Sequence, residues 1–188
     1  MLILAVDTCL AACSAAVLAD GRIVARASEP MARGHQERLA PLAAEVMAEA
    51  GVGFPELDRI GVTVGPGSFT GLRVGLAFAK GLALALERPL AGVGSLEALA
   101  ASTGEEGFRA AAIDAGRGNA YLQVFAEGRP LMAPDILPLD VAAARLAELW
   151  DGSAGRLVGP GAALLDGVLR GLAVDALAAP DPGVVARL

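Results

Sequence analysis

One stretch constrains this chain more than any other: Gly65–Leu86, GPGSFTGLRVGLAFAKGLALAL. It reads as a strand end, a tight glycine turn and a long helix closed by Pro89. On a helical wheel Arg73, Lys80 and Glu87 fall seven residues apart on one narrow stripe, and nearly everything else is apolar or glycine. A helix apolar almost all round must be covered on more than one side. One side is expected against the chain's own sheet. Gly71, Gly75 and Ala79, four apart, form a groove of small residues that lets another helix approach closely, either an internal one or a partner's. On this reading Gly75→Leu fills the groove and weakens partner binding while much of the fold survives.

The segments around this stretch describe an α/β protein. Leu2–Val6, Ala12–Leu18 and Arg22–Ser28 read as three sequential strands, with Asp20-Gly21 as a hairpin turn. That β-meander is not the βαβ opening of a dinucleotide-binding fold. From Leu39 apolar residues recur at helical spacing through Leu42, Val46, Met47 and Ala50, with Pro41 expected either near the first turn or at a kink in the helix. Ile60–Val64 and Leu90–Val93 read as strands, and Ser95 as the N-cap of a short helix to Ala101. Beyond a boundary at Gly104–Gly107 come strands Arg109–Ile113 and Ala120–Phe125. An irregular Pro130–Pro138 connection, a helix Val141–Trp150 and a Leu-rich helix after Gly161 follow. The tail from Pro180 is expected to be loose.

A weak repeat links the halves. Ala5-Val6-Asp7-Thr8 resembles Ala112-Ile113-Asp114-Ala115, and Val64-Gly65-Pro66-Gly67 resembles Val158-Gly159-Pro160-Gly161, in the same order. This points to a duplicated mixed sheet-and-helix unit. Residues 1–104 are expected to form an N-terminal lobe and 105–188 a shortened C-terminal lobe.

Composition removes several function classes. With 188 residues, 55% hydrophobic and 19% charged, the chain has ample material for a core and is not a disordered segment. A formal charge of −6 argues against autonomous nucleic-acid binding, so any tRNA contact is expected to be indirect. MLILAVDT lacks a basic leader, and the central apolar stretch, broken by Lys80, reads as too short to span a bilayer; a cytoplasmic protein is expected. Cys9 and Cys13 are the only cysteines, with neither CxxC nor a His/Cys cluster, and read as buried thiols.

Motifs for autonomous chemistry are absent. No GxxxxGK[ST] follows a strand, and Lys80 sits deep in the helix. The N–H groups at Gly67–Thr70 suit an anion at the helix start, but a strand-to-helix joint needs those glycines regardless, and that reading is preferred. Asp7 and Asp114 each end a first strand. They suit either metal-bound phosphates in a nucleotide cleft or simple turn caps, and Asp114-Ala-Gly116-Arg-Gly118 is the better phosphate-loop candidate. His35, the only histidine, has no nucleophile pattern beside it and is assigned to a helix end or partner contact.

ILAVDT, GHQERLAPL, VTVGPGSFTGLRVGLAFAKGLA, GVGSLEALA and IDAGRGNAY resemble the TsaB family over roughly the first two-thirds of the chain. The resemblance implies an actin-like (ribonuclease H-like) two-lobed α/β fold and a non-catalytic role in making threonylcarbamoyladenosine beside the tRNA anticodon. It implies binding to TsaD, the catalytic paralogue, through the two N-terminal helices, engagement of TsaE in a larger assembly, and a homodimer in isolation using the same surface. The family's TsaD members carry an HxxxH metal site, and here the matching positions are Ser95 and Leu99, which do not suit a transition metal. The partner interface is therefore expected at His35, Arg38, Leu39, Leu42, Val46, Gly71, Arg73, Gly75, Ala79 and Lys80, with no catalytic residue and no metal. No cofactor is required. ATP at Asp7, Asp114 and Gly116 is the competing reading of a phosphotransferase-type enzyme, and a metal-dependent protease is a third, weaker one.

Overall fold

The computed structural model describes residues 1–104 and 106–188. Glu105, where the expected C-terminal lobe begins, lies outside them. The chain divides into two compact units, Met1–Ala98 with Pro180–Leu188, and Leu99–Ala179.

In the first unit β1 (Leu2–Asp7), β2 (Ala12–Ala19) and β3 (Arg22–Pro30) form the expected antiparallel meander. The turn between β2 and β3 needs two left-handed residues, and Asp20 (φ 49°) and Gly21 (φ 80°) supply them. There follow α1 (His35–Glu49), β4 (Arg59–Thr63), α2 (Phe69–Leu86), β5 (Leu90–Val93) and α3 (Ser95–Ala101). The sheet order is β3-β2-β1-β4-β5, with β1–β4 and β4–β5 parallel. β1 reads as a continuous apolar run because both its faces are covered. Leu4 and Val6 pack with Leu39, Leu42 and Val46 of α1 and Ala79 and Ala83 of α2, whereas Ile3 and Ala5 pack with Val93 and Ala98 on the other face.

Helix boundaries shift in two places. α1 starts at His35, before the first periodic apolar residue, after Gly34 in a left-handed conformation (φ 90°). Pro41 therefore falls inside the helix, on its exposed side. Ser95 is the first residue of α3 rather than its cap. α2 has 18 residues and a mean hydropathy of 1.4, long and apolar enough to cross a membrane by length and composition despite Lys80. Here it lies on the sheet with Gly71, Gly75, Ala79 and Ala83 buried.

The second unit contains β6 (Phe108–Gly116), β7 (Asn119–Ala126), β8 (Arg129–Pro130), β9 (Asp135–Pro138), α4 (Leu139–Leu149), β10 (Gly155–Val158) and β11 (Leu172–Asp175). Its sheet runs β11-β10-β6-β7-β8, with β9 also paired to β7. β6–β7 is antiparallel, while β6–β10 and β10–β11 are parallel. This is the scheme of the first sheet, and it bears out the duplicated unit inferred from the repeated strand–Asp and Gly-Pro-Gly segments. The Leu-rich helix expected after Gly161 is absent: only a short 3-10 segment, Ala162–Leu165, forms there.

The tail is not loose. It returns to the first unit as α5 (Pro182–Val185), with Val185 and Ala186 packed among Ile3, Ala5 and Leu18. Asp181 caps it by accepting from the Gly183 N–H (2.7 Å), and it pairs with Arg26 of β3 at 2.8 Å. The division into units therefore differs from a single cut after residue 104, because the tail's apolar residues complete a face of the first sheet.

Candidate functional site

β1 ends in a sealed polar knot. Asp7 is fully buried; its Oδ1 accepts from the Thr63 hydroxyl and the Cys9 N–H (3.0 Å), and its Oδ2 has no partner. The Cys9 thiol in turn donates to Thr63 Oγ1 at 2.9 Å. Burial pushes the Asp7 carboxyl above the usual carboxylate range, against the hydrogen bonds from Thr63 and Cys9. Burial also pushes the Cys9 thiol up to about 12 and the Cys13 thiol to about 11, so both are inert. Both cysteines are buried and free, as expected. Of the two readings of Asp7, the turn cap is the one its contacts match: Oδ1 accepts from the Cys9 N–H two residues on, and the side chain is buried between β2 and β4 among hydroxyl, thiol and amide groups.

Thr8 fixes α2 to this knot. Its hydroxyl donates to the Gly71 carbonyl (2.7 Å), and its own carbonyl would lie 2.0 Å from a Cβ at Gly71. A Cβ at Gly75 would meet Thr8 Oγ1 at 2.7 Å. The groove of Gly71, Gly75 and Ala79 is thus filled by the chain's own β1 end and β4, not by a partner helix. Gly75→Leu would break the fold, contrary to the expectation above. A Cβ at Gly67 would meet the Cys9 carbonyl at 2.3 Å, so this glycine is required by the strand-to-helix joint.

The remaining expected interface residues separate by face. Leu39, Leu42 and Val46 are buried in the first unit's own core, with Leu39 also lining the groove between α1 and α2. Arg38 is held at 2.6 Å by both Glu29 and Glu45, and its guanidinium keeps both carboxyls below the usual range. His35 is buried at the start of α1. Only Arg73 and Lys80 are exposed, and the Arg73 guanidinium lies 3.6 Å from the centroid of the Phe69 ring.

The outer face of α2 holds residues the sequence reading passed over. Phe69 is 68% and Leu84 82% exposed, and Ala77 and Gly81 lie between them on the exposed side. A Cβ at Gly81 would meet nothing within 4 Å, so no internal contact explains this glycine. A groove of about 500 Å³ runs between α1 and α2, lined by Gln36, Ala40, Phe69, Arg73, Ala77 and Phe78 among others. The signal was present in the sequence: a mid-helix glycine costs about 1 kcal/mol relative to alanine and needs a reason.

In the second unit Asp114 is exposed at the end of β6, and its Oδ1 accepts from the Gly116 N–H at 2.7 Å. Gly116, Arg117 and Gly118 all have positive φ, forming the hairpin tip into β7. Asp114 and Gly116 are thus brought together, while Asp7 belongs to the other unit.

A family model described as "TsaD: tRNA N6-adenosine threonylcarbamoyltransferase" matches residues 27–133. The tRNA threonylcarbamoyladenosine biosynthesis protein TsaB of Escherichia coli is 37% identical over 124 residues, 64% of this chain and 53% of that protein. The chain spans about half the length of the curated relatives it matches. Among solved structures, YeaZ from Pseudomonas aeruginosa is 32% identical with a TM-score of 0.86, covering 99% of this chain and 89% of that one. The ethanolamine utilization protein EutJ from Carboxydothermus hydrogenoformans, at 16% identity and a TM-score of 0.60 over 100% of this chain and 89% of that one, shares the fold alone.

Proposed function

The chain belongs to the TsaD family of the tRNA N6-adenosine threonylcarbamoyltransferase model and stands with its TsaB members, and on that premise we propose that it serves threonylcarbamoyladenosine biosynthesis as a non-catalytic subunit docking onto a TsaD-type partner. The observation that carries this reading is the outer face of α2. A helix otherwise anchored by its glycines presents to solvent both Phe69, which lines a groove shared with α1, and Leu84. Aromatic and Arg side chains dominate the energetics of interfaces, and Phe69 with Arg73 stacked on it is such an anchor. Ala77 and Gly81 let a facing helix come close. Lys80, at the edge, favours an acidic partner surface.

The expected interface is thereby relocated from the inner to the outer face of the same helix. A second copy of the chain would use the same surface, so homodimer and heterodimer exclude one another, and TsaE joins only the larger assembly. The charge of −6 fits a subunit that leaves RNA contact to others. The test is co-purification with TsaD and a tRNA modification assay with and without the chain. Phe69→Asp with Leu84→Asp is expected to abolish capture and stimulation while thermal unfolding of the chain is retained. Undiminished capture of TsaD by that variant would falsify the assignment.

A further inference from the structure

The segment Pro180–Leu188 is held by the first unit as a receptor holds a peptide. It carries a single helical turn, α5, and isolated helices shorter than about 12–15 residues are marginal in water. Its shape therefore comes from what it docks on, and those anchors lie far back in the sequence. Pro182, Gly183 and Val185 are buried, and Val185 and Ala186 pack among Ile3, Ala5, Ala16 and Leu18. A Cβ at Gly183 would lie 3.1 Å from Ile23 Cγ1, so the backbone comes close to β3 here. Arg26 donates through Nη1 to both carboxylate oxygens of Asp181, at 3.1 and 2.8 Å, and Arg187 donates to the Gly21 carbonyl at 3.1 Å.

The surface that receives the segment is built without it. β1, β2 and β3 pair with one another through their own backbones, and Ile23, Arg26 and the Gly21 carbonyl belong to the β2–β3 hairpin. Residues 176–179, which lead into the segment, form neither helix nor strand. The hold itself is modest: a proline, two small apolar side chains and an ion pair open to solvent. Exposed ion pairs contribute little, and parts of a fold with few buried apolar contacts open while the rest stays folded. We propose that residues 180–188 are a detachable clasp, and that the β1–β3 face is a docking site for this segment, filled in cis here and able to take it in trans from a second copy of the chain. Asp181 selects by charge, through Arg26, and by capping α5; Val185 and Ala186 fill the apolar face. Exchange of an identical element between copies is a low-cost route to association. This contact lies on the opposite face of the first sheet from α2.

The test uses the full chain with a protease-cleavage sequence inserted between Ala178 and Ala179, cut after folding. A fluorescent peptide of residues 180–188 then competes with the severed tail, and its anisotropy reads the exchange. Saturable uptake is expected, with the cut chain in excess peptide unfolding at the temperature of the uncut one. A peptide with Asp181→Ala is expected to bind about tenfold more weakly, the size of a lost helix cap and charge-assisted hydrogen bond. A peptide with Val185→Asp is expected not to bind. A cut chain that keeps its tail and takes up no peptide overturns the proposal, and so does one that unfolds even with peptide in excess, because the tail is then fixed core. Uptake of the Val185→Asp peptide, or undiminished affinity of the Asp181→Ala peptide, overturns it as well. No TsaD-type partner takes part, so the result is independent of the function proposed above.

Discussion

Val64-Gly65-Pro66-Gly67 and Val158-Gly159-Pro160-Gly161 lie at the ends of corresponding strands, β4 and β10, of two sheets built to one scheme. Both begin with a left-handed glycine, at φ 99° and 104°. In both the last glycine lies against the backbone of a neighbouring segment. A Cβ on Gly67 would come within 2.3 Å of the Cys9 carbonyl, and one on Gly161 within 2.8 Å of the Asp114 nitrogen. Beyond that point they diverge. Ser68 caps an 18-residue helix, whereas Gly161 has no side-chain cap and leads into a four-residue 3-10 segment. Left-handed Gly167 and Gly171 come after that segment. Four residues after the last glycine stands Gly71 in one joint and Leu165 in the other. Gly71 admits the Thr8 carbonyl, while Leu165 fills the second core. The repeated motif fixes the joint; capping and the contact needed one turn later decide whether a long helix grows from it.

The sharpest way to break this comparison is Gly71→Ala. The added carbon would sit 2.0 Å from the Thr8 carbonyl, a backbone atom held by β1, so α2 must leave the sheet. A loss of about 4 kcal/mol or more is expected, read as collapse of the thermal transition. Leu165→Ala in the other joint is a cavity mutation, expected to cost about 2–5 kcal/mol. If Gly71→Ala melts within a few degrees of the parent, the close approach of Thr8 is not what this glycine serves.

These two positions also separate what a sequence discloses from what it hides. The first unit's strands, the meander, the repeat and the joint are legible in apolar runs, turn residues and Asp positions, which are local signals. The burial of Asp7 and the occupant of the Gly71/Gly75 groove are not local. They depend on Thr8 and Thr63, ordinary residues until β1 and β4 lie side by side. The tail reads as loose because Val184 and Val185 are too few to form a periodic pattern, yet Val185 completes a face of the first sheet together with Ile3 and Ala5. The outer face of α2 escapes a wheel read for its buried glycines; Gly81, the glycine without a neighbour, is the informative one.

Asp7 and Asp114 end equivalent strands, and their substitution refines the comparison at a smaller scale. Folding raises the Asp7 pKa above its ordinary value of 3.8, because burial disfavours the anion. The folded state therefore binds the proton more tightly than the unfolded one. Stability linked to this group is full below the ordinary value and falls as pH rises from there through the folded pKa, by up to about 1.4 kcal/mol per pH unit. Asp7→Asn keeps an acceptor for Thr63 and Cys9 without the ionisation. It is expected to raise the melting temperature at pH 7 by a few degrees, on the order of 2–4 °C per kcal/mol, and the gain should vanish near pH 4. Asp114→Asn, exposed and able to keep its turn, is expected to stay within about 0.5 kcal/mol at either pH. Equal pH dependence of the two variants would mean that Asp7 is not sealed.

A small effect on stability carries the most about function. Gly81→Ala adds a carbon into open space on the outer face of α2, and relief of a mid-helix glycine is expected to stabilise by about 0.5–1 kcal/mol. Gly81→Leu meets equally open space in the free chain and leaves its unfolding within about 0.5 kcal/mol of Gly81→Ala. Against a facing helix the two differ sharply: alanine preserves close approach, whereas leucine holds the partner's backbone away. Capture of TsaD should therefore survive the first substitution and fail with the second. The inner glycines cannot separate these effects, because Gly71→Ala and Gly75→Leu disturb the fold before any partner is added. If Gly81→Leu binds TsaD as well as the parent chain does, the outer stripe of α2 is a solvated surface, and the docking face lies elsewhere on the molecule.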